Sequence, residues 1–110
     1  MKNRSPIAVL RTRLLLQVPV DAPDDTGAFT RSWAAIATVW GQVASQSAEQ
    51  RFTANAIEAD ISHLVTIRMR SDIANGMRFM LGTRALLIRA VTDPDMRGRH
   101  LLCRCEEFAP

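Results

Sequence analysis

The chain has 110 residues, enough for one small domain with one modest core and too few for two. Hydrophobic residues make up 47% and charged residues 23%, ordinary globular usage that argues against wholesale disorder. Fourteen basic residues oppose eleven acidic ones for a net charge of +3, and all the basic residues except Lys2 are arginine.

The dominant period along the chain is two. Residues 7–18 read as a first strand or strand pair with an exposed Arg11/Arg13 face, and those arginines interrupt the apolar stretch that a secretory signal needs. Export by that route is not expected. Val18 to Gly27 carries two prolines and three aspartates and reads as a surface loop. Ala28 to Ser45 places Trp33, Ala35, Ala37 and Val39 on one parity and Ile36 and Trp40 on the other. That pattern predicts a long strand, bulged near Gly41, with Trp33 in the core. Phe79 and one of Trp40 or Phe52 are expected to join it there.

Ser47 and Gln50 then form a capping box, and Ala48, Phe52, Ala56 and Ala59 share one narrow face. A weakly packed helix over about 47–59 is the expectation. From His63 to Ser71, Val65, Ile67 and Met69 alternate with Thr66, Arg68 and Arg70 as in a half-buried strand. Asn75-Gly76 is a type I′ hairpin signal. Met77, Phe79 and Leu81 alternate again, Gly82-Thr83 turns the chain, and Leu86 to Val91 follows as a strand. Asp93-Pro94-Asp95 opens another turn before a last strand, Arg99 to Phe108. Short strands at regular spacing predict a mainly β fold: a small antiparallel β-barrel or sandwich with one inserted α-helix. The longest apolar runs, such as Ala85-Leu86-Leu87-Ile88, are too short to span a bilayer, so no membrane partner is expected.

Little in the chain points to catalysis or metal binding. Cys103 and Cys105 are the only cysteines. On a strand they would share a face about 6–7 Å apart, poor geometry for a disulfide, so they are expected as reduced thiols filling a strand face. With His63 and His100 they nominally make four zinc ligands, but a Cys-x-Cys on a strand curls badly around one ion. No nucleophile elbow, phosphate-binding glycine loop or metalloprotease helix occurs. The Asp21, Asp24, Asp25 cluster reads as turn chemistry, and Glu106-Glu107 has no evident partner carboxylate at catalytic spacing. No enzyme and no cofactor are expected.

Charge is segregated. Residues 1–13 hold four basic groups and no acid, and residues 67–104 hold eight arginines against three aspartates. A basic sheet face suits a nucleic-acid backbone. Stacking on single strands, however, calls for aromatics, and this chain has six and no tyrosine. Contacts between oppositely charged protein neighbours fit the pattern equally well. The arginine preference suits ordered, bidentate contacts, although GC-rich coding gives the same bias with no function behind it.

The order of these elements resembles the small head–tail joining proteins of tailed bacteriophages, the head closure or stopper proteins, and their gene transfer agent relatives. The resemblance runs nearly end to end. It takes in the strand Leu10-Arg-Thr-Arg-Leu14, the loop ending Asp25-Thr-Gly27, Trp33, and the strand Val39-Trp-Gly-Gln-Val43. After a Ser-Ala-Glu-Gln helix come Leu64 to Arg70, Met77 to Arg84, Leu87 to Val91, Asp95 to Arg99 and Leu101 to Glu106. Gly41-Gln42 departs from the family pattern, where a small residue such as Ala is usual, and so does the long acidic Pro19–Asp25 loop, whose role that pattern does not predict.

The resemblance implies one head–tail joining domain over residues 1–110, a β-barrel with an inserted segment at about 45–60. It implies a homo-oligomeric ring that closes the portal channel after DNA packaging and docks the tail. Partners would be adaptor and portal proteins on one side and tail terminator or tail proteins on the other, with packaged double-stranded DNA nearby. The location would be a virion assembled in the bacterial cytoplasm. Candidate inter-ring or DNA-facing residues are Arg4, Arg11, Arg13, Arg68 and Arg70. Asp21, Asp24 and Asp25 form the candidate acidic docking loop, and Ser47, Gln50, Arg51 and Asn55 the candidate channel-facing segment. The alternatives are a tail-terminator-like ring protein or a stand-alone nucleic-acid-binding β-barrel.

Overall fold

Alternating apolar residues become six antiparallel strands in the computed structural model, which describes residues 10–46 and 60–108. They are β1 (Thr12–Pro23), β2 (Phe29–Ser45), β3 (His63–Arg68), β4 (Arg78–Leu81), β5 (Arg84–Thr92) and β6 (His100–Phe108). The strands close into a barrel in the order β1-β2-β3-β6-β5-β4. Closure comes from three residue pairs between β1 and β4, running from Leu15↔Met80 to Gln17↔Arg78. The expected mainly β barrel is therefore present. Among the described residues there is no α-helix, and the helix expected over 47–59 lies outside them.

The inward parity of each strand fills the barrel. Leu14, Leu16, Val65, Ile67, Phe79, Leu86, Ile88, Cys103 and Cys105 are fully enclosed, with Val39, Met77 and Leu101 nearly so. Both cysteines thus serve as small core hydrophobes, as their spacing suggested. Gly41 sits on the inward face of β2 at the tightest crossing. A Cβ there would lie 2.9 Å from the Thr66 carbonyl oxygen and 3.1 Å from both Ile67 Cγ2 and Leu14 Cδ1. The smallest residue is required because backbone, not a pliable side chain, stands in the way.

Four expectations need correction. The first concerns the loop assigned to Val18–Gly27, because β1 runs through Pro19 to Pro23 and only Asp24 to Gly27 turn. Asp24 N–H donates to Ala28 O at 2.8 Å, so even-numbered residues of this arm hold the ladder bonds. Pro19 and Pro23 fall on the odd parity. Their missing N–H groups face an edge that has no neighbouring strand.

The second correction moves the bulge from Gly41 to Ile36. Leu16 pairs with Ala37 and Gln17 with Ala35, which leaves Ile36 as the extra residue. One extra residue inverts parity. Ala37 and Val39 face inward as expected, while Ala35 and Trp33 are thrown to the outer face. The third correction follows from this: Trp33 does not belong to the core. Of the alternatives Trp40 and Phe52, Trp40 faces outward and Phe52 lies outside the described residues. Trp33 is half-buried beneath the Arg78 guanidinium, 4.2 Å from its ring centre, and Trp40 is 55% exposed.

The fourth correction concerns Asn75-Gly76. The pair does turn the chain, with Met77 N–H donating to Ala74 O at 3.3 Å, but only Gly76 has positive φ. A type I′ turn needs both central residues there. The segment instead carries the chain from β3 to β4, which are not neighbours in the sheet. Gly82, at φ +62, does open a tight hairpin between β4 and β5.

Truncating Phe79 to Ala should cost about 3–5 kcal/mol, the range for a buried aromatic. Trp33→Ala, which loses a half-buried ring and its cation–π contact, should cost less, about 1–2 kcal/mol. Gly41→Ala should destabilise by about 1–3 kcal/mol through overpacking. Urea denaturation of the three variants beside the parent chain checks all of these values.

Candidate interaction surface

Chemistry exposed by this fold gathers at two places on β2, one at each end of the strand. Beyond the seam with β4, residues Val18–Pro23 and Phe29–Ala34 pair only with each other. Six residues per strand make a two-stranded ribbon about 20 Å long. It accounts for the elongation of the molecule, 59 × 31 × 26 Å.

The ribbon tip is held by its own side chains. Asp24 Oδ1 accepts hydrogen bonds from the Thr26 hydroxyl (2.7 Å), Thr26 N–H (2.9 Å) and Ala28 N–H (3.0 Å). Gly27, at φ +85, completes the turn. Farther down, Arg31 donates twice to Asp21, at 2.8 and 3.1 Å. Asp25 makes no hydrogen bond or ion pair among the described residues, and Phe29 beside the turn is 74% exposed.

The second place is a row across the outer face of the barrel. Arg13 on β1 pairs with Trp40 on β2. The Gly41↔Ile67 pair puts Arg68 of β3 next along the same register. Trp40, Arg68, Met69 and Arg70 line a groove of about 320 Å³. Arg70 is committed to Asp72 through two hydrogen bonds of 2.9 and 2.8 Å. Arg13 and Arg68 have no ion-pair partner among the described residues. An exposed indole therefore stands between two uncommitted guanidinium groups.

At one end of the barrel the remaining charges are consumed internally. Arg84 donates to both oxygens of Glu107 at 2.7 Å, and Arg89 pairs with Glu106, so arginines engage both C-terminal carboxylates. Ser62 Oγ lies 2.9 Å from His63 Nδ1, and the same hydroxyl accepts from Glu107 N–H at 2.8 Å. His63 Nε2 in turn faces Arg84 at 3.3 Å and Glu107 at 3.8 Å. A serine, a histidine and a carboxylate meet here, but each is tied to the strands that hold it. The group fastens β3 and β5 to β6. Burial pushes the Cys103 thiol up to about 12 and Cys105 higher still, so neither is a thiolate at neutral pH.

The sequence-derived candidates are therefore scattered. Arg11, Arg13 and Arg68 are exposed, Arg70 and Asp21 are already paired, and Asp24 caps its own turn. Arg4, Ser47, Gln50, Arg51 and Asn55 lie outside the described residues. Trp40 was missed as a surface residue, although its parity opposite Val39 was legible in the sequence. Phe29 carried no sequence signal, because only the ribbon makes its position prominent.

Comparison with known proteins places this surface in context. The sequence model of the family described as phage head completion protein matches residues 6–107. A chain in the virion of a native gene transfer agent particle has 25% identity and a TM-score of 0.66, over 92% of this chain and 97% of that one. The solution structure of a protein from Shigella flexneri 2a has 27% identity and a TM-score of 0.66, over 92% of this chain and 96% of that one. No curated protein matches.

Several carboxylates here titrate below their ordinary range. Hydrogen bonds do this: from Arg31 to Asp21, Thr26 to Asp24, Arg70 to Asp72, Arg84 to Glu107, and the Arg97 N–H to Asp95. The unfolded chain therefore holds these protons more tightly than the folded one. The stability they confer is complete above the ordinary carboxylate range and is lost as pH falls through the lowered values. The melting temperature should fall progressively below about pH 4, and Glu107→Gln should flatten part of that fall. Both cysteines should resist iodoacetamide at neutral pH until denaturant opens the barrel.

Proposed function

The chain belongs to the phage head completion protein family, and on that premise we propose that it is a ring-forming subunit of the head–tail interface. The ring closes the portal channel after DNA is packaged and offers its far side to the tail. The observation that carries this reading is the family match over residues 6–107, supported by the likeness to a chain of a gene transfer agent virion. Its work is steric closure and docking rather than catalysis, performed by one joining domain over residues 1–110 inside the virion.

The charged residues take their roles from that placement. Arg11, Arg13 and Arg68 are available to DNA phosphate or to acidic neighbours, in company with Arg4. Arg70 and Asp21 have weaker claims, since each is engaged within its own chain. The segment carrying Ser47, Gln50, Arg51 and Asn55 faces the channel. Adaptor and portal proteins lie on the head side and tail proteins on the other.

Particles assembled without this chain should package DNA yet lose it from the head and carry no tails. Purified protein added back should restore tail attachment. Electron microscopy of particles with and without the chain makes the comparison, and normal tails in its absence would sink the reading. Density for the ring capping the head-proximal end of the tail tube, rather than against the portal side, would favour a terminator-like position instead.

A further inference from the structure

We infer that the ribbon tip of one copy seats on the Arg13–Trp40–Arg68 row of the next copy, with Phe29 against Trp40 and Met69 and Asp25 on Arg68. The inference rests on the ring reading above and names the contact that builds the ring.

Both ends of the contact hold their apolar groups in water. Phe29 is 74% exposed, Trp40 55% and Met69 39%. Aromatic anchors of this kind lie at the centre of productive interfaces. The charges are complementary as well. Residues 18–34 carry three aspartates against one arginine, and Asp25 is the one with no engagement. The row carries two uncommitted arginines. Arginine next to a tryptophan suits an acidic, aromatic partner segment, which is the composition of Asp24-Asp25-Thr26-Gly27-Ala28-Phe29.

The partner must be a second copy. Phe29 and Trp40 lie on the same extended strand eleven residues apart, which is about 36 Å at strand rise. A chain cannot fold its own tip back onto its own row without breaking β2. The bulge at Ile36 also keeps Phe29, Arg31, Trp33 and Trp40 on one face, so the tip presents the side that carries the row. Because the two patches differ, the contact is head-to-tail. Contacts of that kind propagate around an axis, and they close into a ring when the rotation per subunit divides a full turn.

Two double variants test the contact. Phe29→Ser with Asp25→Arg destroys the tip, and Trp40→Ala with Arg68→Asp destroys the row. All four positions are exposed, so circular dichroism should show the parent fold in both. In sedimentation velocity the parent chain should associate as its concentration rises, and less so at about 0.5 M salt, where the ion pairs are screened. Each double variant should associate at least about tenfold more weakly. Mixed together they should form a 1:1 dimer and nothing larger, because the mixture offers one intact tip and one intact row. Asp25→Arg combined with Arg68→Asp in a single chain should recover association by exchanging the charges.

Association that the double variants leave unchanged would overturn this contact while leaving the ring reading intact. A parent chain that stays monomeric to about 1 mM would overturn it too, and particle imaging would then decide the ring separately. Tight binding of single-stranded oligonucleotide through Trp40 without self-association would assign the row to nucleic acid and overturn the inference.

Discussion

Three residue pairs between β1 and β4 set the shape of this molecule. Leu15 to Gln17 meet Arg78 to Met80, and nothing farther along β1 has a strand on that side. The seam is long enough to close six strands around one core. It is also short enough to leave half of β1 and the matching half of β2 without a third strand. A longer β4 would have given a taller barrel and no ribbon. With four residues in β4, the surplus length of the first hairpin has to project. An isolated two-stranded ribbon is only marginally stable in water, so this one depends on the barrel at its base. There, Arg78 bonds to Gln17 at 2.6 Å and covers Trp33.

Which parts of this arrangement were legible follows from what period two can and cannot encode. Alternation located β3 to β6 within three residues at every end, because each has one face in the barrel and one in water. Val65 and Ile67 faced inward as their parity required. A bulge is a different matter. It adds one residue without changing composition, so nothing in Ala34-Ala35-Ile36-Ala37 marks where the parity inverts. Assigning the extra residue to Gly41 left Trp33 on the core side, and the resulting misplacement came from a single residue of phase. The real reason for Gly41 is close packing against Thr66, which is a tertiary contact no local pattern carries. The ribbon was hidden by its prolines. They read as loop residues unless one knows that their side of the strand has no neighbour to bond.

The surface was legible as chemistry but not as geometry. Segregation of basic and acidic segments is visible in the sequence, whereas the internal pairing that neutralises part of each is not. Arg31 with Asp21, Arg70 with Asp72, Arg84 with Glu107 and Arg89 with Glu106 remove four arginines from any account of binding to a partner. Exposed pairs of this type contribute little stability. Their larger consequence is subtraction, because the charges that remain available are few and have definite positions.

A contact made of one aromatic seat and one or two exposed ion pairs is weak by itself. It falls in the micromolar-to-millimolar range of small transient interfaces rather than that of obligate ones. For a ring subunit this weakness is useful. In the proposed ring, copies held by a common template would meet at an effective concentration in the millimolar range, each added subunit supplying one tip and receiving another. Closure makes the last subunit gain two contacts at once, so the complete ring is favoured over any open arc. The same contact leaves free subunits separate in dilute solution. The ribbon suits this division because its tip and its row lie too far apart to satisfy one another within a single chain.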